Sequence, residues 1–277
     1  MSIKIVADSS ADIHSLEGVE FASAPLKIIT AENEYVDNED LDVLKMVNDL
    51  QAYKGKSSTS CPNPSDWLNT FGDAEEIFCV TITGTLSGSY NAAQAAKASY
   101  EEQHPDRKVF VLNSLTAGPE IYLIIEKLKS LILSGESFDD ICEKITEYTN
   151  HTGLLFMLES MKNLANNGRV SSLVAKMAGL LGIRVVGKAS DKGDLEPLNK
   201  CRGEAKALEA IVAHMKSIGF KGGLVRIAHC FNEAASEKLK ELIKKEFKTA
   251  KIIIHKCRGL CSFYAEKGGL LVGFETV

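Results

Sequence analysis

Short apolar segments rich in β-branched residues alternate with longer segments of helical period along the first part of the chain. This alternation predicts a parallel sheet whose two faces are covered by helices. Because such sheets bind ligands beyond the carboxyl ends of their strands, the loops after the strands are the first candidates for a site. The strands are expected at residues 3–7, 26–29, 77–82, 108–112 and 153–158, and the helices near 39–53, 64–72, 88–103, 118–134 and 137–149.

The pattern changes after about residue 158. Two strand-like segments flank "DKGD" at 191–194, where Gly193 suits a turn with positive φ, and this predicts an antiparallel hairpin. Helices at 203–217 and 232–246 and strands at 224–229, 251–255 and 269–274 are expected to follow. The sequence therefore predicts two α/β domains: residues 1–158 with a mainly parallel sheet, and residues 159–277 with a mixed sheet.

Composition narrows the class of protein. A chain of 277 residues can form one large or two ordinary domains. The formal net charge of −5 shows no basic excess, which argues against nucleic-acid binding. The longest apolar stretch, residues 172–187, is interrupted by Lys176 and Arg184, so no membrane span is expected.

Location is predicted from the first residues and the cysteines. The chain starts without the charged and apolar regions of a signal peptide. Seven cysteines, an odd number spread along the chain, are typical of reduced thiols. We therefore expect a cytoplasmic protein.

Two polar loops are candidates for a site in the first domain. "ADSSAD" at 7–12 follows the first strand, and its carboxylates and hydroxyls either form a polar floor or bond their own backbone. "SSTSCPNPSDW" at 57–67 carries Thr59 and Ser60 before two prolines, and Pro64 suits the first turn of a helix. The prolines would fix the direction of Thr59, or the hydroxyls face water while Asn63 caps the helix.

A third loop, "TITGTLSGSYNAA" at 81–93, joins a strand to an alanine-rich helix. Ser87 occupies the position expected for an N-cap residue, and a helix start offers unpaired N–H groups to an anion. Gly84 and Gly88 allow the backbone to approach a ligand closely. The alternative is that Ser87 is an ordinary capping serine.

A fourth candidate is a pair of arginines in the second domain. Arg169 in "NNGRVSS" is expected just before a helix, and Arg202 in "NKCRGEA" at the end of a hairpin strand. Arginine offers planar donors that match a carboxylate or phosphate, so both side chains could lean over a site in the first domain. The alternative is that each forms a surface salt bridge.

Three other patterns do not support a site. "GIRVVGKAS" at 182–190 nearly matches a phosphate loop, but Ala189 stands where the magnesium-binding hydroxyl belongs. "HKCRGLC" at 255–261, even with His229 and Cys230, fits no standard zinc spacing. Ser87 lies in G-x-x-S-G rather than in the G-x-S-x-G pattern of a nucleophilic serine.

Several ordered motifs resemble the DegV family, bacterial lipid-binding proteins that include the fatty-acid-binding subunits of fatty acid kinase. The similarity runs nearly from end to end. It includes a D-S-[ST]-x-D opening, a T-S-x-P box, an L-S-G-T-Y box, a G-G-R-[IV]-S segment, an arginine after the hairpin and an alanine-histidine strand end. These motifs correspond here to "IVADSSADI", "TSCPNPSDW", "LSGSYNAA", "NNGRVSSLVAKMAGLLGIRVV", "NKCRGEAKAL" and "IAHCFNEAASEKL".

The resemblance implies two α/β domains with one fatty acid buried between them. It places the carboxylate at Thr59 and Ser87, beside Gly88, with Arg169 and Arg202 near the carboxyl end to present it. It implies no cofactor and no catalytic residue, only a fatty acid ligand and a kinase partner. By position in the motifs, the additional candidates are Ser60, Cys261, Ser262 and His229.

Departures from the family pattern leave alternatives open. The family usually has a glycine-histidine-threonine-glycine-proline-glycine type of loop near the ligand head, whereas this chain reads "RGLCSFYAEKGGLLVGF", with Cys261 or Ser262 in the place of the histidine. The difference weakens the implied link to a kinase. One rival hypothesis is an enzyme that acts on a small phosphorylated or acyl metabolite in the same crevice. Another is a thiol sensor that uses Cys257 and Cys261.

Overall fold

A computed structural model describes residues 2–171 and 182–276. The helix expected directly after Arg169, and most of the apolar stretch 172–187, lie outside the described residues. The strands are β1 Ile3–Asp8, β2 Glu20–Ala24, β3 Lys27–Ile29, β4 Glu34–Val36, β5 Ser58–Ser60, β6 Glu76–Thr81, β7 Lys108–Asn113, β8 Thr152–Leu158, β9 Ile183–Ala189, β10 Leu195–Arg202, β11 Leu224–His229, β12 Lys251–Lys256 and β13 Leu270–Glu275. The helices are α1 Val43–Ala52, α2 Pro64–Phe71, α3 Ser89–Gln103, α4 Pro119–Leu133, α5 Phe138–Thr149, α6 Lys162–Asn166, α7 Glu204–Ser217, α8 Glu233–Glu246 and α9 Gly259–Ala265, with a short 3-10 helix at Ser9–Ala11.

The predicted parallel sheet is confirmed as the sheet β2-β1-β6-β7, whose paired strands are parallel throughout the described residues. Side chains alternate across it, as the period of a strand requires. Ile5 belongs to the core beneath α4 and α5, whereas Val6 belongs to the core beneath α2 and α3. The sheet is therefore covered on both faces.

Two expected strands of that sheet lie elsewhere. The segment 26–29 forms β3, which pairs antiparallel with β4 and β5 in a separate three-stranded sheet. The segment 153–158 forms β8, which pairs antiparallel with β9 and β13. An apolar run identifies a buried strand but not its partner, because a strand buried on both faces has the same composition in either sheet.

The mixed sheet of the second half is confirmed, with the strand order β10-β9-β8-β13-β11-β12 among the described residues. The predicted hairpin is β9–β10, and β11 and β12 are parallel neighbours. One face packs against α7 and α8, and the other contributes Phe156 and Leu158 to a core shared with α6 and α9. Because β8 lies inside this sheet, we propose that the second domain begins near Thr152 rather than at residue 159.

Helix α4 joins the two halves. Its Glu126 accepts two hydrogen bonds from Arg226 of β11, with Nε to Oε2 at 2.7 Å and Nη2 to Oε1 at 2.6 Å. The start of the helix lies so close to β13 that a Cβ atom on Gly273 would be 2.5 Å from the backbone nitrogen of Glu120. These contacts fix the first sheet against the second and define the space between them.

Candidate functional site

A cavity of about 280 Å³ lies between the two halves of the molecule. Most of the side chains that line it are apolar. They come from the N-terminal loops and from the face of the mixed sheet that packs against α6 and α9. The lining residues are Leu26, Thr59, Ser60, Cys61, Ile82, Leu86, Ser87, Gly88, Ala117, Leu154, Phe156, Leu158, Leu164, Arg169, Leu195, Leu260, Cys261, Tyr264, Ala265 and Leu271. An apolar cavity with a few convergent polar groups is the usual form of a small-molecule site.

Thr59 is held in the cavity wall by the small sheet. It lies in β5, paired with Ile28 of β3, and the capping box of Asn63 and Asp66 fixes the start of α2 just after it. Its Oγ1 lies 2.8 Å from the hydroxyl oxygen of Tyr264 in α9, and either hydroxyl can donate. When Tyr264 donates, the proton of Thr59 remains free for a ligand.

Ser87 lies one residue before the N-cap position that the sequence predicted for it. Helix α3 begins at Ser89, so the N-cap residue is Gly88, which offers no capping side chain. Ser87 still accepts a hydrogen bond from the N–H of Ser89 at 3.2 Å, so its hydroxyl satisfies the start of the helix from one position further away. Ser87 and Gly88 both line the cavity, and a hydroxyl that accepts one hydrogen bond still has its own proton to donate.

Arg169 connects the second half of the chain to this loop. Its Nε donates to the carbonyl oxygen of Leu86 at 2.8 Å, and its Nη1 donates to the carbonyl oxygen of Asn167. Burial raises the pKa of Tyr264, although its hydrogen bond with Thr59 and the charge of Arg169 oppose the shift. The phenol of Tyr264 therefore keeps its proton, and the guanidinium of Arg169 is near enough to act on it.

The family model described as "Uncharacterised protein, DegV family" matches residues 2–276. The chain belongs to the DegV family. A DegV domain-containing protein of Streptococcus pneumoniae is 46% identical over 279 residues, which cover 99% of each chain.

Two solved structures are similar over the full length of this DegV chain. The fatty acid kinase (Fak) B3 protein of Streptococcus pneumoniae, loaded with linoleic acid, has 46% identity and a TM-score of 0.98, with 100% of both chains covered. A DegV family protein from Eubacterium eligens, loaded with heptadecanoic acid, has 44% identity and a TM-score of 0.97, again with 100% of both chains covered. Both relatives thus bind fatty acids in the fold that this chain shares.

Of the other predicted residues of this DegV protein, Ser60 and Cys261 line the cavity. The thiol of Cys261 donates to the carbonyl oxygen of Ser10, and burial raises its pKa well above the usual value. Cys261 is therefore an uncharged, apolar part of the wall, and the high pKa argues against a reactive thiol.

Three predicted residues lie outside the cavity. The hydroxyl of Ser262 donates to the carbonyl oxygen of Cys257 at 3.1 Å. His229 accepts from the N–H of Asn232 and lines a separate depression with Lys256 and Arg258. Arg202 is exposed at the end of β10, roughly 25 Å from Asp194 at about 3.3 Å per residue of strand.

The hairpin tip, rather than its base, meets the candidate site. Thr85 Oγ1 donates to the carbonyl oxygen of Gly193 at 2.8 Å, and a Cβ atom on Gly193 would collide with Oγ1 of Thr83. Gly193 has φ +83°, as the predicted turn requires. The tip of the hairpin therefore contacts the loop that precedes Ser87, whereas Arg202 lies at the other end of β10 and does not line the cavity.

The "ADSSAD" loop supports the site from behind. Asp8 is fully buried and accepts from the N–H of Ile82 at 2.9 Å and from the hydroxyl of Ser89 at 2.5 Å. It also accepts from the N–H and hydroxyl of Ser10. The carboxylate therefore fixes the loop after β6 and the start of α3, and so positions Ser87 without lining the cavity.

Tyr264 is the site residue that sequence reasoning missed. It lies in the segment that departs from the family loop, where Cys261 and Ser262 were expected to substitute for a histidine. Residues three and four apart share a face of a helix, so Cys261 and Tyr264 point the same way while Ser262 does not. The available signal was this spacing within "CSFY", provided that the segment is recognised as a helix.

In the described part of the chain, no group of three or more metal-ligating side chains is close enough to hold an ion. No helix within residues 2–171 or 182–276 has the length and apolar character needed to cross a bilayer.

Proposed function

We propose that this protein binds one long-chain fatty acid in the cavity, with the carboxylate held by Thr59 and Ser87 beside Gly88. The observation that carries the proposal is an apolar cavity whose few polar lining groups include Thr59, Ser87, Tyr264 and Arg169. Two relatives of the same length and fold, each more than 40% identical, are loaded with fatty acids.

The head group needs these donors because an ionised carboxylate is costly to bury without them. Thr59 donates while Tyr264 donates to Thr59, and Ser87 donates from the other side. The start of α3 adds the partial positive charge of a helix N-terminus, and hydrogen bonds to a charged acceptor are stronger than neutral ones. Arg169 also lines the cavity and supplies a positive charge that acts on Tyr264, the partner of Thr59.

The tail supplies most of the affinity. Each methylene that leaves water contributes about 0.8 kcal/mol, so a long chain is favoured over a short one. The wall formed by Leu154, Phe156, Leu158 and Leu271 offers no polar partner, which excludes hydrophilic ligands of the same size.

We infer a carrier role rather than catalysis, without a cofactor. The hydroxyl of Ser87 serves as an acceptor at the start of α3 and has no histidine partner among the described residues. The name of the Streptococcus pneumoniae relative supports a role as the binding subunit that presents the carboxylate to a fatty acid kinase. All seven cysteines are free, which supports a cytoplasmic location.

Extraction of the purified protein tests the proposal. Denatured, washed protein should release close to one equivalent of a long-chain fatty acid, identified by mass spectrometry, and delipidated protein should take up added fatty acid to the same ratio. Delipidated protein that takes up no fatty acid of any length would refute a carrier role.

Arg202 should affect delivery and not binding. We expect Arg202→Ala to slow phosphorylation of the bound fatty acid by a kinase subunit more than about fivefold, the effect of an interface side chain worth over about 1 kcal/mol. Retention of the fatty acid should be unchanged, because Arg202 is not among the residues that line the cavity.

The control for this prediction is Lys200→Ala, which removes another exposed cation from the same strand. Equal slowing by both variants would show a general effect of charge. Loss of bound fatty acid in Arg202→Ala would contradict the position that we assign to this side chain.

A further inference from the structure

Strand β8 forms the floor of the cavity with every second side chain. Leu154, Phe156 and Leu158 face the cavity, whereas Leu155 and Met157 belong to the core on the other face of the sheet. The register pairs Phe156 with Gly187 of β9 on one side and with Leu271 of β13 on the other. The largest side chain of the floor therefore lies beside a strand position that has no side chain.

The phenyl ring of Phe156 lies across Gly187. A Cβ atom on Gly187 would be 2.6 Å from Cε2 of Phe156 and would collide with its Cζ. Neighbouring strands are about 4.8 Å apart, so a ring whose tip reaches the Cα of the next strand must lie flat along the sheet. A ring that stood upright would instead project into the cavity.

We propose that the Phe156–Gly187 pair sets the length of acyl chain that the cavity accepts. This inference rests on the proposed fatty acid binding and adds the determinant of chain length to it. Gly187 leaves the space that the ring occupies, and so keeps the floor low. A side chain at position 187 would raise the ring and shorten the cavity, whereas a smaller side chain at position 156 would deepen it.

The size of the expected shift in affinity follows from the methylene groups that the acyl chain buries. Each methylene buried raises affinity about fourfold, from about 0.8 kcal/mol per group. Consider two fatty acids that differ by one methylene. If a substitution changes the depth of the cavity by one methylene, the ratio of their affinities should change about fourfold. Such a shift is measurable by competition between homologous fatty acids.

The experiment loads delipidated protein with an equimolar series of saturated straight-chain fatty acids and measures the bound profile by mass spectrometry. We expect Phe156→Leu to shift the profile toward longer chains and Gly187→Ala toward shorter ones, each by about fourfold or more per methylene. In Phe156→Ala combined with Gly187→Ala, the ring is absent, so the shortening should disappear.

Leu155→Ala is the matched control, because it removes a buried side chain from the same strand but from the opposite face. Its profile should equal that of the wild type. Gly187→Ala also brings its methyl to 2.6 Å from the carbonyl oxygen of Glu196, so this variant carries a risk of misfolding that Phe156→Leu does not share.

Identical profiles in the wild type and in Phe156→Leu would overturn the assignment of chain length to this pair while leaving fatty acid binding intact. A wild type that binds no member of the series would instead refute the proposed function. The two failures are therefore distinguishable.

Discussion

Thr59→Val and Ser87→Ala should each weaken fatty acid binding roughly tenfold to a hundredfold, because each removes a hydrogen bond to a charged group worth about 1.5–3 kcal/mol. Valine has nearly the shape of threonine, so the change at Thr59 deletes the donor with little change in packing. The double variant should lose most of its bound fatty acid during purification. Displacement of a fluorescent fatty acid from delipidated protein measures the affinities.

Thr59→Ser is the matched control because it keeps the hydroxyl, and it should bind nearly as the wild type does. Ser87→Ala needs a separate check, since the hydroxyl of Ser87 also accepts from the N–H of Ser89. Loss of that bond should lower the free energy of unfolding by about 1 kcal/mol, as for other capping positions. If Thr59→Val and Thr59→Ser bind equally well, Thr59 does not contact the carboxylate.

Tyr264→Phe distinguishes which of the paired hydroxyls meets the ligand. With Tyr264 donating to Thr59, phenylalanine leaves the donor to the carboxylate in place, and the affinity should fall less than in Thr59→Val. A larger loss in Tyr264→Phe would show that the phenol is the direct donor and that Thr59 supports it.

The sequence predicted the residues that follow strands better than those held by long-range contacts. Thr59, Ser87 and Arg169 were expected at loop positions next to strands or helices, and the structure brings all three to one cavity. Tyr264 depends on α9, a helix of seven residues that is too short to be stable by propensity. Its start is held by Asp37, whose carboxylate accepts from the N–H groups of Gly259 and Leu260 at 2.8 Å each, across more than 200 residues of sequence.

The position of Arg202 relative to the site also depends on a long-range contact, in this case one made by the hairpin. The strand and its end were predicted correctly, but which end of the hairpin meets the site depends on the contact between Gly193 and Thr85, which no local pattern encodes. The partners of β3 and β8 likewise follow from tertiary packing. Local patterns thus gave the elements, and packing decided how they were combined.

Asp12→Asn should stabilise the protein at neutral and alkaline pH and abolish one component of its pH dependence. Asp12 is 6% exposed, and burial raises its pKa from 3.8 to about 8, against the opposing hydrogen bond from the N–H of Arg258. Its Oδ1 accepts that hydrogen bond at 2.8 Å, whereas its Oδ2 has no hydrogen-bond partner within residues 2–171 and 182–276. The native protein therefore holds this proton through the neutral range.

Proton linkage determines whether this group stabilises the protein more at low or at high pH. Between pH 3.8 and about 8 the unfolded chain has released the proton of Asp12 while the native protein retains it. The contribution of Asp12 to the free energy of unfolding is therefore fully present below the unfolded pKa of 3.8. It is lost as the pH rises toward the native pKa of about 8, by at most about 1.4 kcal/mol per pH unit. Asparagine cannot ionise, so the advantage of Asp12→Asn over the wild type should grow across this window to several kcal/mol.

Asparagine also fits the local structure. Asp12 has φ +61°, in the left-handed region that asparagine tolerates well. The amide oxygen can take the N–H of Arg258, and the amide group resembles the protonated acid in shape. Urea unfolding of both proteins at several pH values between about 4 and 8 measures the difference.

Asp37→Asn provides the contrast, because both oxygens of Asp37 accept backbone N–H groups and an amide nitrogen would oppose one of them. That variant should be destabilised by about 1–3 kcal/mol even at neutral pH. Asp12 and Asp37 hold the same end of α9, the helix that carries Tyr264, so a charged Asp12 should also loosen the hydroxyl cluster. We therefore expect Asp12→Asn to retain fatty acid better than the wild type near pH 8, and a constant stability difference between the two proteins across the pH window would refute the buried, protonated state of Asp12.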